Sequence, residues 1–194
     1  MKTFKRLAGM ALFTFLASHA NAQKFDIVIT SKGDTLAGTI IGERFTSLKF
    51  KDLTGTRFEK FSSSQVKEFR TNKKIFISKN VPGEVEPLFL ERLEAGSIAL
   101  YEYYKRTGAT GNSYIIKWYA SKNNEPLIEL KTNWGATTAR KERKAAFEEL
   151  IKDDTELYNQ YLPIKSFDYN TLSSFIKKYN NSRAQLSSKI LSKD

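Results

Sequence analysis

Residues 24–41 read KFDIVITSKGDTLAGTII, and this stretch determines how the chain begins to fold. Residues 25–30 are rich in β-branched side chains and predict a strand. Residues 31–34 are typical of a tight turn, in which Gly33 supplies the positive φ that a hairpin needs. Residues 35–41 predict the returning strand, and Gly38 within it indicates a bulge or a close approach of another backbone. We therefore expect a β-hairpin at the start of the fold.

The same pattern continues through the first half of the chain. Short β-branched and aromatic segments recur at residues 45–50, 57–61, 65–69 and 74–78, with turn-forming residues every eight to twelve positions. That spacing is typical of a small barrel or of a strongly curved antiparallel meander. We therefore expect a β-rich N-terminal half, in which closure of the sheet would remove exposed strand edges.

Residues 80–87, NVPGEVEP, mark a change in the sequence. All nine tyrosines and both tryptophans lie at or after Tyr101, whereas residues 25–89 use phenylalanine as their aromatic residue. We interpret this stretch as a connector between two halves. The predicted organisation is a signal peptide at 1–22, a small β domain at 23–82, and a sheet with C-terminal helices at 83–194.

The second half predicts a mixed structure. Residues 88–93, 98–104, 113–119 and 126–130 suit the strands of a second antiparallel sheet, although the first segment also suits a helix. Three helices follow at residues 138–152, 155–162 and about 169–179, with Asp154 as the N-cap of the second and Asp168 or Asn170 as that of the third. The third helix has one apolar face, formed by Leu172, Phe175, Ile176 and Tyr179. The predicted fold class is α+β.

The first 22 residues are typical of a secretory signal peptide. Lys2, Lys5 and Arg6 precede an apolar run at residues 7–17, and the cleavage pattern Ala20-Asn21-Ala22 follows. The apolar run is shorter than the roughly 20 residues that span a bilayer, and an uncleaved anchor is the alternative. We expect cleavage after Ala22, no transmembrane segment thereafter, and a secreted or periplasmic protein.

Three segments carry a family resemblance: KGDTLAGTI at 32–40, FLERL at 89–93 followed by Gly96 and LYEY at 100–103, and IKKYN at 176–180. Together they resemble uncharacterised secreted proteins of Bacteroidota, in which a hairpin of the pattern K-G-D-T-hydrophobic-x-G-x-hydrophobic follows a signal peptide. The resemblance covers most of the chain after residue 22. It implies export and a fold of sheet plus helices, with no assigned activity and no functional residues to transfer.

Removal of the leader limits the chemistry that the chain can perform. The one histidine, His19, and both methionines lie in the leader, and the sequence has no cysteine. Catalytic triads that use histidine, and zinc or copper sites built on histidine or cysteine, are therefore excluded from the mature chain. We expect no cofactor and no bound metal ion.

The mature chain is strongly basic. Loss of the leader's three cations lowers the formal charge from +11 to +8. In an exported protein the partner for this charge would be an anionic envelope polymer or a protein rather than nucleic acid, and the interpretation that we favour is that the charge serves solubility alone. The sequence leaves the oligomeric state open.

Four cations are concentrated at the start of the first predicted helix: Arg140, Lys141, Arg143 and Lys144. The helix macrodipole favours carboxylates at this end, so each cation here lowers the stability of the helix by roughly a few tenths of a kcal/mol. Cations beside free backbone N–H groups can bind an anion. We therefore name this cluster as a candidate anion-binding site, with a solvated helix face as the alternative.

Tyr101, Tyr103 and Trp118 form a candidate aromatic surface on the second sheet. Residues two apart share a strand face, so Tyr101 and Tyr103 point the same way. An exposed face of this kind would suit stacking on sugar rings or contact with a protein partner. The interpretation that we favour is that these rings belong to the core between sheet and helices.

These observations favour a non-enzymatic binding or scaffolding module of the cell envelope. The alternative is a small glycan hydrolase, whose carboxyl pair would come from Glu91, Glu102 and Glu129 and be about 5–10 Å apart. Their alternation with apolar residues also fits the solvent-facing side of a strand. A concave acidic pocket would favour the hydrolase, and a flat basic or aromatic surface the binding module.

Overall fold

The computed structural model describes residues 25–107, 113–133 and 139–191. The leader, its cleavage site and Trp134 lie outside these residues. The described strands are β1 (Asp26–Thr30), β2 (Thr35–Arg44), β3 (Ser47–Asp52), β4 (Phe58–Ser62), β5 (Val66–Thr71), β6 (Lys74–Lys79), β7 (Leu88–Glu94), β8 (Ile98–Thr107), β9 (Ser113–Lys122) and β10 (Ile128–Thr132). The described helices are α1 (Ala139–Ile151), α2 (Thr155–Tyr161) and α3 (Tyr169–Leu191), with a 3₁₀ turn at Ser63–Gln65.

All ten strands belong to one antiparallel sheet, in the order β10-β9-β8-β7-β6-β5-β1-β2-β3-β4. The sheet is open, and β4 and β10 are its edge strands. β6 pairs with β7 across the connector, from Phe76 opposite Glu91 to Lys79 opposite Leu88. The predicted α+β class, with its β-rich first half and C-terminal helices, is confirmed. The two sheets expected from the sequence are joined into one, while the domain boundary at residues 82 and 83 stays a prediction.

The hairpin of β1 and β2 forms where the sequence predicts it. Gly33 has a φ of +95°, as the turn requires. Gly38 marks a close approach, because a Cβ atom there would come within 2.2 Å of the carbonyl oxygen of Lys51 in β3. The pairing of β2 with β3 also shifts between Ile40 and Gly42, and such a bulge bends a strand and increases its twist. Local sequence thus determines both the turn and the bend.

An apolar cluster holds the first five strands together. β1 lies between β2 and β5, so the chain must return from β4 through the 3₁₀ turn to pair with its own beginning. Gln65 fixes that turn, since the backbone N–H of Ser62 donates to its Oε1 at 2.9 Å. Phe89 of β7 belongs to the same cluster, so the cluster includes a residue that follows the connector in the sequence. The buried members are Val28, Leu48, Phe50, Phe61, Val66, Phe69 and Phe89.

The three helices cover the C-terminal part of the sheet. Their apolar faces pack on Ile98, Leu100, Ala120 and Leu130 of β8, β9 and β10. All four residues of the predicted stripe on α3 are buried: Leu172, Phe175, Ile176 and Tyr179. Burial of several large side chains, each worth about 1.5–3 kcal/mol, accounts for the stability of helices whose exposed faces are polar.

The helix caps agree with the sequence, but the end of α3 does not. Asp154 accepts from the backbone N–H of Leu157 at 3.1 Å, and Asp168 accepts from that of Thr171 at 2.8 Å. The Ser166 hydroxyl and the Thr171 N–H donate to Asp168 and lower its pKa to about 2. α3 continues twelve residues beyond the expected end at Tyr179, because residues 180–191 contain neither glycine nor proline to stop it.

None of the helices among the described residues is long and apolar enough to cross a membrane.

Candidate functional site

A pocket opens where β7 and β8 separate. The two strands pair from Glu94 to Glu91, and beyond the pair Glu91–Glu102 they continue without pairing with each other. The connection between β2 and β3 occupies the gap, because the N–H of Phe89 donates to the carbonyl oxygen of Phe45 at 2.8 Å. The ring of Phe45 lies 4.7 Å from that of Tyr103. We call the resulting cavity of about 640 Å³ the sheet pocket; its walls are Glu43, Arg44, Phe45, Phe69, Lys74, Phe76, Phe89, Glu91, Glu102 and Tyr104.

Three phenylalanine rings from adjacent strands form the apolar part of the sheet pocket. Phe69 of β5 stacks on Phe76 of β6 with ring centroids 4.6 Å apart, and Phe89 of β7 meets Phe69 edge-on at 5.0 Å. Phe69 and Phe89 are also members of the N-terminal core. The pocket is therefore a place where that core reaches the surface, and its size is typical of small-molecule sites.

Two carboxylates lie opposite each other on the polar side of the sheet pocket. Glu91 of β7 pairs in register with Glu102 of β8, and like charges in this position repel. Lys74 relieves the repulsion at one of them, since its Nζ lies 2.6 Å from Glu91 Oε2. Glu102 accepts from the indole N–H of Trp118 at 2.9 Å, which is a neutral donor. The hydrogen bond to Glu91 also raises the pKa of Lys74, which keeps that side chain charged.

Glu43 brings a third carboxylate from the facing wall. Loss of water around it raises the pKa of Glu43, and the charges of Asp26 and Glu91 add to that rise, while Lys74 opposes it. Among the described residues Glu43 makes no hydrogen bond and no ion pair. Lys74 thus interacts electrostatically with all three carboxylates, Glu43, Glu91 and Glu102. The sheet pocket thus has an apolar floor, and its charged lining residues are three carboxylates and the two cations Lys74 and Arg44.

The structure pairs two side chains that the sequence analysis assigned to different sites. Arg143 Nη1 lies 3.3 Å from Glu129 Oε1, and Lys117 Nζ lies 3.4 Å from the other oxygen. Glu129 is therefore part of the contact between β10 and α1 and is not in the sheet pocket. Lys144 donates to the carbonyl oxygen of Ile164 at 3.2 Å. Arg143 and Lys144 thus have partners within the fold.

Arg140 and Lys141 are the exposed members of the predicted anion site. Neither forms an ion pair within the part of the chain that the structure describes. The candidate site at the start of α1 consequently reduces to these two cations, and its affinity for anions stays a prediction.

The three aromatic candidates do not share one surface. Tyr101 is 4% exposed and packs with Tyr119 and Leu90, so it belongs to the core. Tyr103 is half-buried beside Phe45 on that same side of the sheet. Trp118 lies opposite Glu102 on the other side, where its ring is 5.3 Å from that of Tyr169. Of the three, Trp118 packs against the cluster between sheet and helices, where the favoured interpretation places these rings, whereas Tyr101 is buried in a separate cluster on the other side of the sheet.

Sequence reasoning missed Glu43 and the phenylalanine floor of the sheet pocket. Glu43 lies on the charged end of a strand and has no distinctive neighbours in the sequence. The recurrence of phenylalanine in the first half was visible, but it does not reveal strand order or register. Only the sheet order, in which β5, β6 and β7 are neighbours, brings Phe69, Phe76 and Phe89 together.

Comparison with known proteins gives no match from which a role for the sheet pocket could be taken. No protein-family model, no curated protein and no solved structure matches the chain. Within residues 25–107, 113–133 and 139–191, no group of carboxylates is arranged so that it could hold a metal ion.

Proposed function

We propose that the protein is a non-enzymatic binding module of the cell envelope, secreted or periplasmic, and that the sheet pocket holds a small molecule with an apolar body. The observation that carries this proposal is the floor of the pocket. Phe69, Phe76 and Phe89 present adjoining rings to a cavity of about 640 Å³ that is open to solvent, with a small number of charged groups around them. Apolar cavities with a few placed polar groups are the usual form of ligand sites.

Chemical-shift mapping tests this proposal directly. We expect N-phenyl-1-naphthylamine, an uncharged apolar probe, to shift backbone amide signals of the ¹⁵N-labelled protein at residues 43–45, 89–91 and 102–104. The probe should also become more fluorescent, since contact with the phenylalanine rings would shield it from water. Replacement of Phe76 by alanine should weaken binding by about fivefold to tenfold, because one ring of the floor is lost.

The matched control is Phe58→Ala. Phe58 is an exposed phenylalanine on the edge strand β4 and does not line the sheet pocket. Its replacement should leave probe binding unchanged. Amide shifts concentrated away from the three pocket segments, or equal losses in both variants, would exclude the sheet pocket as the binding site.

The concave shape of the sheet pocket, with Glu91 and Glu102 in it, is the observation that favours glycan hydrolysis as a second candidate. Hydrolysis needs one protonated and one ionised carboxyl group. Lys74 donates to Glu91 and Trp118 donates to Glu102, so both carboxylates already serve as hydrogen-bond acceptors within the fold. Glu43, whose pKa is raised, would have to supply the proton. Binding requires no such division of roles and is the function that these contacts favour.

A further inference from the structure

The charge in the sheet pocket is not balanced by the protein's own cations. Glu91 has Lys74 as its partner at 2.6 Å, but Glu102 and Glu43 have no lysine or arginine within ion-pair distance among the described residues. Arg44 also lines the cavity, yet it is exposed and pairs with none of the three carboxylates. Two carboxylates therefore line the cavity without a cation of the protein against them, and around Glu43 part of the water is lost, which disfavours its charge.

The aromatic part of the sheet pocket suits the same kind of ligand. Tyr104 of β8 is 42% exposed and lines the cavity on the same side of the strand as Glu102, two residues earlier. Its ring stacks on that of Tyr114 of β9 with centroids 5.8 Å apart, which holds the ring in place. The faces of tyrosine and phenylalanine rings attract organic cations, and more strongly where water is excluded.

We infer that the sheet pocket selects an amphipathic alkylammonium compound, with the ammonium group between Glu43 and Glu102 and the hydrocarbon on Phe69, Phe76 and Phe89. This inference rests on the proposed binding function and adds the chemical class of the ligand. The cation would complete the neutralisation that Lys74 begins at Glu91. A carboxylate or sulfate ligand would instead have to approach three carboxylates of like sign.

The charge preference is measured with three probes that share one hydrocarbon chain. Octylamine, 1-octanol and octanoate are titrated calorimetrically at pH 7, below their aggregation concentrations. We expect octylamine to bind about tenfold more tightly than 1-octanol, and octanoate to bind more weakly than either. The double variant Glu43→Gln/Glu102→Gln should bring octylamine to the affinity of 1-octanol and leave 1-octanol unchanged. The amide oxygen that this variant carries at position 102 can still accept from Trp118, which preserves the local fold.

The control variant is Glu59→Gln. Glu59 is a carboxylate on β4 that does not line the sheet pocket. Its replacement also lowers the negative charge, but it should keep the preference for octylamine. Equal binding of octylamine and 1-octanol by the wild-type protein would overturn the ammonium inference and leave the binding function intact. Tighter binding of octanoate would overturn it as well, whereas failure of all three probes to bind would overturn both proposals.

Discussion

An ion pair between Arg143 and Glu129 joins α1 to the edge strand β10. The Arg143 side chain is largely buried, and its Nη1 lies 3.3 Å from Glu129 Oε1. Lys117 meets the same carboxylate from β9. Arg140 and Lys141, three and two residues earlier, have no such partner among the described residues and remain exposed. Four cations that look equivalent in the sequence therefore divide into a structural group and a solvent-facing group.

We expect the double variant Arg140→Gln/Lys141→Gln to lose salt-sensitive binding to anionic envelope material while its unfolding midpoint stays unchanged. The reason is that the two charges contact solvent and no described partner. Co-sedimentation with envelope fragments at low and at high salt measures the binding. Retention of binding at wild-type strength would remove the start of α1 from consideration as an anion site.

Arg143→Gln is the matched comparison for that double variant. It should lower the free energy of unfolding by about 1 kcal/mol, because it removes a half-buried ion pair. Its effect on binding should be smaller than that of the double variant. Urea denaturation at neutral pH gives the free energy of unfolding of both variants.

The side chain of Asn180 binds the long helix α3 to the turn between β7 and β8. Asn180 Oδ1 accepts from the N–H of Ile98 at 2.8 Å, and its Nδ2 donates to the carbonyl oxygens of Ile98 at 2.8 Å and Ala95 at 3.2 Å. Gly96 leaves room for this contact, since a Cβ atom there would lie 2.4 Å from the Asn180 side chain. The extension of α3 past Tyr179 is thus supported by a contact with residues more than 80 positions earlier.

Replacement of Asn180 by alanine should lower the free energy of unfolding by about 2 kcal/mol. The change leaves a half-buried N–H and a half-buried carbonyl group of Ile98 without their partner. Asn181→Ala is the control, because Asn181 is the next residue on the same helix and is exposed. Similar destabilisation by both variants, measured by thermal unfolding, would show that the contact with the turn contributes nothing of its own.

Asp153 connects three distant parts of the molecule. It follows α1 and accepts from Lys122 of β9 at 2.8 Å, from the Tyr179 hydroxyl at 2.9 Å and from Arg183 at 2.6 Å, both of the latter on α3. Loss of solvent alone would raise the pKa of Asp153, but the hydrogen bonds from Lys122 and Tyr179 and the nearby charges lower it overall. Protonation of Asp153 therefore favours the unfolded chain.

The stabilisation that Asp153 gives should be fully present above about pH 4, its unfolded-state pKa, and should decline as the pH falls through its lower folded-state value. We expect Asp153→Asn to be less stable than the wild-type protein at pH 7 and to lose less stability than the wild type between pH 4 and pH 2. Urea midpoints across this range provide the measurement. Glu125→Gln, which changes an exposed carboxylate, should follow the wild-type curve. Parallel curves for Asp153→Asn and the wild-type protein would contradict the assignment.

The sequence by itself determined the local parts of this protein. The hairpin of β1 and β2, the positions of the strands, the caps at Asp154 and Asp168 and the buried stripe of α3 all depend on turn chemistry and side-chain periodicity, which act over a few residues. Strand order, and with it the sheet pocket, depended on the tertiary structure. The pairing of β6 with β7, and the insertion of Phe45 between β7 and β8, are contacts between residues far apart in the chain, and no local pattern specifies them. Those contacts also bring three carboxylates, Glu43, Glu91 and Glu102, to one pocket. Their burial and electrostatic surroundings depend on neighbours in space, which local sequence does not specify.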